Sequence, residues 1–112
     1  MISTHVLDTS IGRPAAGVRV ALFVQQEHSA WHELAHATTD ANGRIPELIA
    51  GSATAAIGTY RLTFDVGGYF GERRVDSFYT IVTVEFVVRD ARSHHHVPLL
   101  VSPYGYSTYR GS

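Results

Sequence analysis

The chain reads as an all-β sandwich of short strands, and three observations carry that expectation. Val18, Val20 and Leu22 alternate with Arg19, Ala21 and Phe23, and Tyr60, Leu62 and Phe64 alternate with Arg61, Thr63 and Asp65; period two is the signature of a strand. Residues 81–88 are dense in β-branched and aromatic side chains and lie between Asp76-Ser77 and Asp90, as a strand bounded by turns does. Turn chemistry recurs between these segments, most clearly in Asp40-Ala41-Asn42-Gly43, where Asx side chains and glycine favour a tight reversal.

In chain order, residues 3–7 form a first, weaker strand candidate, followed by the strand at 18–23. Residues 23–27 and 33–38 read as a hairpin joined around Ser29-Ala30-Trp31. The strand at 60–65 leads into the one helix candidate, 66–74, which Gly67, Gly68 and Gly71 weaken because glycine costs about 1 kcal/mol in a helix interior. After the strand at 81–88, residues 95–101 make a last strong candidate with Pro98 inside it. Proline lacks the ladder donor, so this strand is expected at an edge or with the 98 position turned away from a partner. No internal repeat or linker interrupts the pattern, and residues 1–112 are expected to be a single domain.

Composition narrows the chemistry. The formal charge is −1, so no global field draws the chain to nucleic acid or to an acidic membrane. All nine basic residues are arginine, which removes a Schiff-base lysine and a P-loop lysine. No cysteine is present, so thiol catalysis, disulfides and cysteine zinc sites are excluded. Anion or carbonyl recognition must then use arginine, histidine or backbone N–H groups. With 45 % hydrophobic and only 17 % charged residues, some apolar surface is expected to be covered by self-association. Residues 1–5 have neither a basic start nor an apolar run, so the expected location is the cytoplasm, with no membrane span.

Three histidine groups compete for a role. His28, His32 and His36 have helical spacing, but in a hairpin that spacing no longer aligns them for metal. His94, His95 and His96 are consecutive; on a strand the outer two share a face and His95 points the other way. Such a pair can hold zinc only with a third ligand from elsewhere. His5 stands alone and Arg44 follows a turn, and neither is distinctive in isolation. The tail is: three tyrosines in residues 104–109 lead to Arg110-Gly111-Ser112, an aromatic-rich end with a planar donor fork where chain ends are normally polar and frayed.

The segment Thr4-His5-Val6-Leu7-Asp8-Thr9-Ser10-Ile11-Gly12-Arg13-Pro14-Ala15-Ala16-Gly17-Val18 resembles the N-terminal signature of the 5-hydroxyisourate hydrolases, transthyretin-like enzymes of urate breakdown. His94-His95-His96-Val97-Pro98-Leu99-Leu100-Val101-Ser102-Pro103, continuing to Tyr109-Arg110-Gly111-Ser112, resembles their C-terminal signature. Thr39-Asp40-Ala41-Asn42-Gly43-Arg44 and Gly58-Thr59-Tyr60-Arg61-Leu62-Thr63-Phe64-Asp65 fit between them in order. Three positions depart from the family pattern: His95 replaces the usual tyrosine, Phe78-Tyr79-Thr80-Ile81 a more usual Pro-Glu pair, and Asp90-Ala91-Arg92 an Asp-Pro-Arg.

The resemblance implies a transthyretin-like sandwich of two antiparallel four-stranded sheets with one short helix. It also implies a homotetramer with active sites in the channel between dimers. The implied reaction is hydrolysis of 5-hydroxyisourate to 2-oxo-4-hydroxy-4-carboxy-5-ureidoimidazoline, by acid–base catalysis on a cyclic amide and with neither cofactor nor metal. His5, Arg44, His96 and Ser112 are the implied catalytic residues. His5, Arg44, Tyr109, Arg110 and Gly111 are the implied substrate contacts. Two rival readings remain at this point: a transthyretin-like carrier of small aromatic ligands without catalysis, and a zinc hydrolase built on His94 and His96.

Overall fold

Period-two alternation decides the architecture. Strands β1 (Ile2–Asp8), β3 (Arg19–Gln25), β6 (Gly58–Phe64), β7 (Val82–Val88) and β8 (His95–Ser102) each turn one face inward in the computed structural model, which describes residues 1–49 and 55–112. Strands β2 (Arg13–Pro14), β4 (Trp31–Thr38), β5 (Arg44–Ile45) and β9 (Gly105–Thr108) complete two sheets. One has the order β4-β3-β6-β7 and is antiparallel throughout. The other has the order β2-β1-β8-β9, with β5 pairing β1 near its start.

This is the expected two-sheet sandwich, with two differences in detail. The second sheet holds five strands rather than four, and β1 runs parallel to β8 across seven residue pairs, from Ile2↔His95 to Asp8↔Val101. Parallel neighbours need a long crossover, and here the whole of the other sheet intervenes in the chain.

Between the sheets, Ile2, Val6, Leu99 and Val101 meet Val20, Leu22, Leu62, Phe64 and Val82, all buried. Each such side chain contributes about 1.5–3 kcal/mol relative to exposure. The helix α1 (Val66–Glu72) forms where it was expected despite its glycines. Asp65 caps it by accepting from the Gly68 N–H at 2.9 Å, and Val66, Tyr69 and Phe70 bury its inner face. Tyr69 also donates its hydroxyl to the buried Asp8 carboxylate at 2.8 Å, tying the helix to β1. Burial and that carboxylate push the phenol up to about 12.

The hairpin of β3 and β4 turns through a short 3-10 segment, Glu27–Ser29. A bulge in the pairing between Leu22 and Phe23 leaves Leu34 without a partner. His36 lies opposite Ala21 and His32 opposite Val24, so the bulge sends these two histidines to opposite faces. The expectation that they form no metal face agrees with this register; the side chain of His28 lies outside the described set.

Pro98 occupies an interior strand. The N–H groups of β8 that reach β1 belong to its odd-numbered residues, as in His95 N–H to Met1 O at 2.8 Å. Pro98 therefore turns its missing donor toward β9, in the gap between the Leu99↔Thr108 pair and the isolated His96↔Gly111 bridge.

Candidate active site

Alternation along β1 sends Ile2, Thr4 and Val6 into the core and leaves Ser3 and His5 on the outer face. On β8 it buries His95, Val97 and Leu99 and puts His96 outside, with His94 just before the strand on the same side. Register does the rest: Ser3 lies opposite His96, and His5 lies opposite Arg44 of β5. The Asp40–Gly43 turn delivers Arg44. Asp40 accepts from the N–H groups of Asn42 (2.9 Å) and Arg44 (3.0 Å), and these bonds hold its carboxyl below the usual carboxylate range. Gly43 has φ +72°, and a Cβ there would run into the Val6 carbonyl.

These residues line a shallow pocket of about 290 Å3 whose walls are Ser3, Thr4, Arg44, Pro46, His94, His96 and Ser112. The His96 ring is gripped on two edges. Its Nδ1 lies 2.8 Å from the Ser3 hydroxyl. On the Cδ2 side the tail passes so close that a Cβ at position 111 would sit 2.5 Å from that atom. The Gly111 N–H donates to the His96 carbonyl at 2.8 Å and fixes the tail there. His96 Nε2 makes no hydrogen bond among the described residues and is left for a reacting group. His5 Nε2 is buried and equally without a partner among them; an unpaired buried nitrogen costs about 1–3 kcal/mol and often marks a catalytic position.

The pocket carries the Arg44 cation, and the Asp40 carboxylate acts on it from beyond ion-pair distance. Burial, then Arg44, His94 and His5, hold His96 below the ordinary imidazole value, so near neutral pH it is an unprotonated base beside a permanent cation. Among the described residues no carboxylate lies within ion-pair distance of Arg44. Nor do any three of His, Asp, Glu or Cys come together there in a metal-holding group, so His94 and His96 find no third ligand among the described residues.

The structure thus brings Arg44, His96 and Ser112 to one pocket, sets His5 opposite Arg44 on the neighbouring strand and ties Gly111 to His96. Tyr109 and Arg110 go elsewhere. After Thr108 the chain leaves the β9 ladder and rejoins β8 only at Gly111. The two residues between are displaced to a separate, more apolar concavity lined by Val84, Phe86, His95 and Val97. Arg110 retains one long contact to the His94 carbonyl at 3.4 Å. His95 faces inward at 5 % exposure, as alternation predicted, with Nδ1 3.1 Å from the Ser93 carbonyl. The sequence reading passed over Ser3, although its position two residues before His5 already placed it on the same face.

Residues 2–111 match the family model described as HIUase/Transthyretin family. The chain is 46 % identical over 112 residues to a 5-hydroxyisourate hydrolase of Salmonella dublin, covering 100 % of this chain and 81 % of that one. It superposes on the structure of Klebsiella pneumoniae 5-hydroxyisourate hydrolase with a TM-score of 0.85 at 40 % identity, covering 99 % and 98 % of the two chains. A sea bream transthyretin in complex with thyroxine matches at TM-score 0.91 but 28 % identity, over 98 % and 93 %. Backbone similarity therefore extends to both branches, while sequence similarity is greater toward the hydrolases.

Proposed function

The chain belongs to the HIUase/transthyretin family, and from that premise we propose that it hydrolyses 5-hydroxyisourate to 2-oxo-4-hydroxy-4-carboxy-5-ureidoimidazoline. The observation that carries the proposal is the convergence of His5, Arg44 and His96 from three strands onto one face. That face offers two imidazoles and a guanidinium that has no ion-pair partner among the described residues.

Opening a cyclic amide with water needs a base for the water, stabilisation of the tetrahedral oxyanion and a proton for the departing nitrogen. His96, kept neutral by its surroundings, takes a proton from water at Nε2. The hydroxide attacks the ring carbonyl carbon, and Arg44 binds the polar edge of the ring and offsets the charge developing on oxygen. His5 donates a proton to the ring nitrogen as the C–N bond breaks, giving a carboxylic acid and an N–H. Ser112, at the pocket wall, orients the water or the ring. None of these steps draws on a cofactor, and none is assigned to a metal.

The assembly is proposed as a homotetramer in the cytoplasm. Phe78, Tyr104, Tyr109 and Ile11 are more than half exposed on the isolated chain, apolar area of the kind that self-association covers. No described helix is long and apolar enough to cross a membrane.

The test generates 5-hydroxyisourate from urate in situ and follows its absorbance with and without the protein. Faster decay that survives a chelator supports the reading. Binding of an aromatic ligand with decay at the spontaneous rate would make the protein a carrier, and chelator-sensitive decay would favour a metal hydrolase.

A further inference from the structure

The Ser3 hydroxyl lies between two imidazoles, 2.7 Å from His94 Nε2 and 2.8 Å from His96 Nδ1. The rings face each other edge-on with centroids 6.4 Å apart. Ser3 itself is 4 % exposed, on a strand whose register fixes it opposite His96. A hydroxyl has one proton. It can donate to one ring and must then accept from the other, so the two histidines cannot choose their tautomers independently. We propose that Ser3 is a positioning residue that links His94 to His96 as a proton relay, setting which nitrogen of His96 is free to act as the base. The proposal rests on the hydrolase reading for its catalytic consequence, but not for the linkage itself.

In one state His96 Nδ1–H donates to the Ser3 oxygen and the Ser3 hydroxyl donates to His94 Nε2. His96 Nε2 then carries a lone pair toward the pocket. When Nε2 takes a proton from water, His96 Nδ1 passes its own proton to Ser3, and Ser3 passes its proton to His94. The sum is one proton gained by the pair, with water becoming hydroxide; His96 ends neutral with its proton on Nε2, and the positive charge ends on His94. The direction of transfer has a physical reason. His96 is half-buried and faces Arg44 on β5 and His5 on β1, with His94 beside it on its own segment. A cation there is desolvated and repelled. His94 is exposed, so a cation there keeps its water.

The experiment compares wild type with Ser3→Ala, Ser3→Thr, His94→Phe and the Ser3→Ala/His94→Phe double variant. It uses steady-state hydrolysis of 5-hydroxyisourate across pH, together with imidazole 15N spectra of the ligand-free protein. Loss of the relay is expected to lower kcat about tenfold or more with KM little changed, less than the hundredfold or more that a directly reacting acid–base group supplies. The double variant should be no worse than either single change, because the residues act as one unit. Ser3→Thr, which keeps a hydroxyl, should recover most of the rate. The spectra should show one His96 tautomer in wild type and a mixture in Ser3→Ala. His94 is exposed, so His94→Phe tests the relay even if Ser3→Ala folds poorly. Wild-type kcat in His94→Phe, or the same His96 tautomer with and without the hydroxyl, overturns the linkage while leaving the hydrolase reading intact. A single coupled tautomer in a protein that does not turn over 5-hydroxyisourate would retain the linkage and sink the hydrolase reading.

Discussion

On the outer face of β1, β5 and β8, Arg44 and the histidines at 5, 94 and 96 gather with no carboxylate in ion-pair contact among the described residues. The outer face of the other sheet carries an arginine and a histidine in a paired state, Arg61 and His36. Arg61 binds Glu85 at 3.1 Å and stacks over the Trp31 ring at 4.0 Å, while its buried Nε has no partner among the described residues. His36 faces Glu33 at 3.3 Å. Cations that are matched on the spot hold a surface together. Cations left unmatched in a concavity can meet the charge that develops on a substrate. On the proposed reading, pairing rather than the mere presence of arginine and histidine separates a face that reacts from one that does not.

The strongest way to break this contrast is mutation on the unmatched face. His96→Ala, His5→Ala and Arg44→Ala should each lower kcat/KM at least about a hundredfold, measured by decay of 5-hydroxyisourate, whereas His36→Ala should leave it within twofold. Near-full activity in two of the three would dissolve the distinction.

The next effect comes from the tail. Gly111→Ala brings a Cβ to 2.5 Å from His96 Cδ2, so the ring must shift. Misplacement of a reacting group on the ångström scale can cost up to about a hundredfold; we expect a loss in kcat of tenfold or more, with thermal stability little changed.

A third test uses pH. Burial, ahead of the nearby Arg110, holds His95 below the ordinary imidazole value, and burial with Arg44 does the same for His96. Both folded-state pKa values are depressed, so below about pH 6.5 the unfolded chain binds more protons than the folded one. Stability from these groups is present above that pH and is lost as pH falls through the range beneath it. Denaturant midpoints measured at several pH values should show this decline, and it should be shallower in His95→Tyr. The acid limb of kcat/KM, reporting His96 in the free enzyme, should also lie below the ordinary imidazole value.

The smallest effect belongs to the matched face. Arg61→Ala removes a partly exposed ion pair and a ring contact, costing about 1 kcal/mol of stability with no change in turnover. A fall in kcat/KM comparable to that of Arg44→Ala would show that pairing is not the distinguishing property.

Much of this was legible before the structure. Alternation in residues 18–23, 60–65 and 81–88 marks strands, and parity alone puts His95 and His96 on opposite faces, while the packing shows His95 to be the inner one. The parallel union of β1 with β8 was not legible, because register between segments ninety residues apart depends on tertiary packing and not on local pattern. The same gap hid Ser3, whose role appears only once it lies opposite His96. His5 and Arg44 were ordinary in isolation and gained meaning from the family signature and then from their pairing across β1 and β5. The position of Tyr109 and Arg110 followed from an interruption of the β9 ladder after Thr108 that composition does not encode.

The central claim is that the unmatched face carries the chemistry, and the most direct measurement sets two proteins side by side. The decay of 5-hydroxyisourate generated in situ is followed with wild type and with His96→Ala at equal concentration, each shown to be folded. The account predicts decay far above the spontaneous rate with wild type and a rate near spontaneous with the variant. Equal acceleration by both, or none by either, would contradict it.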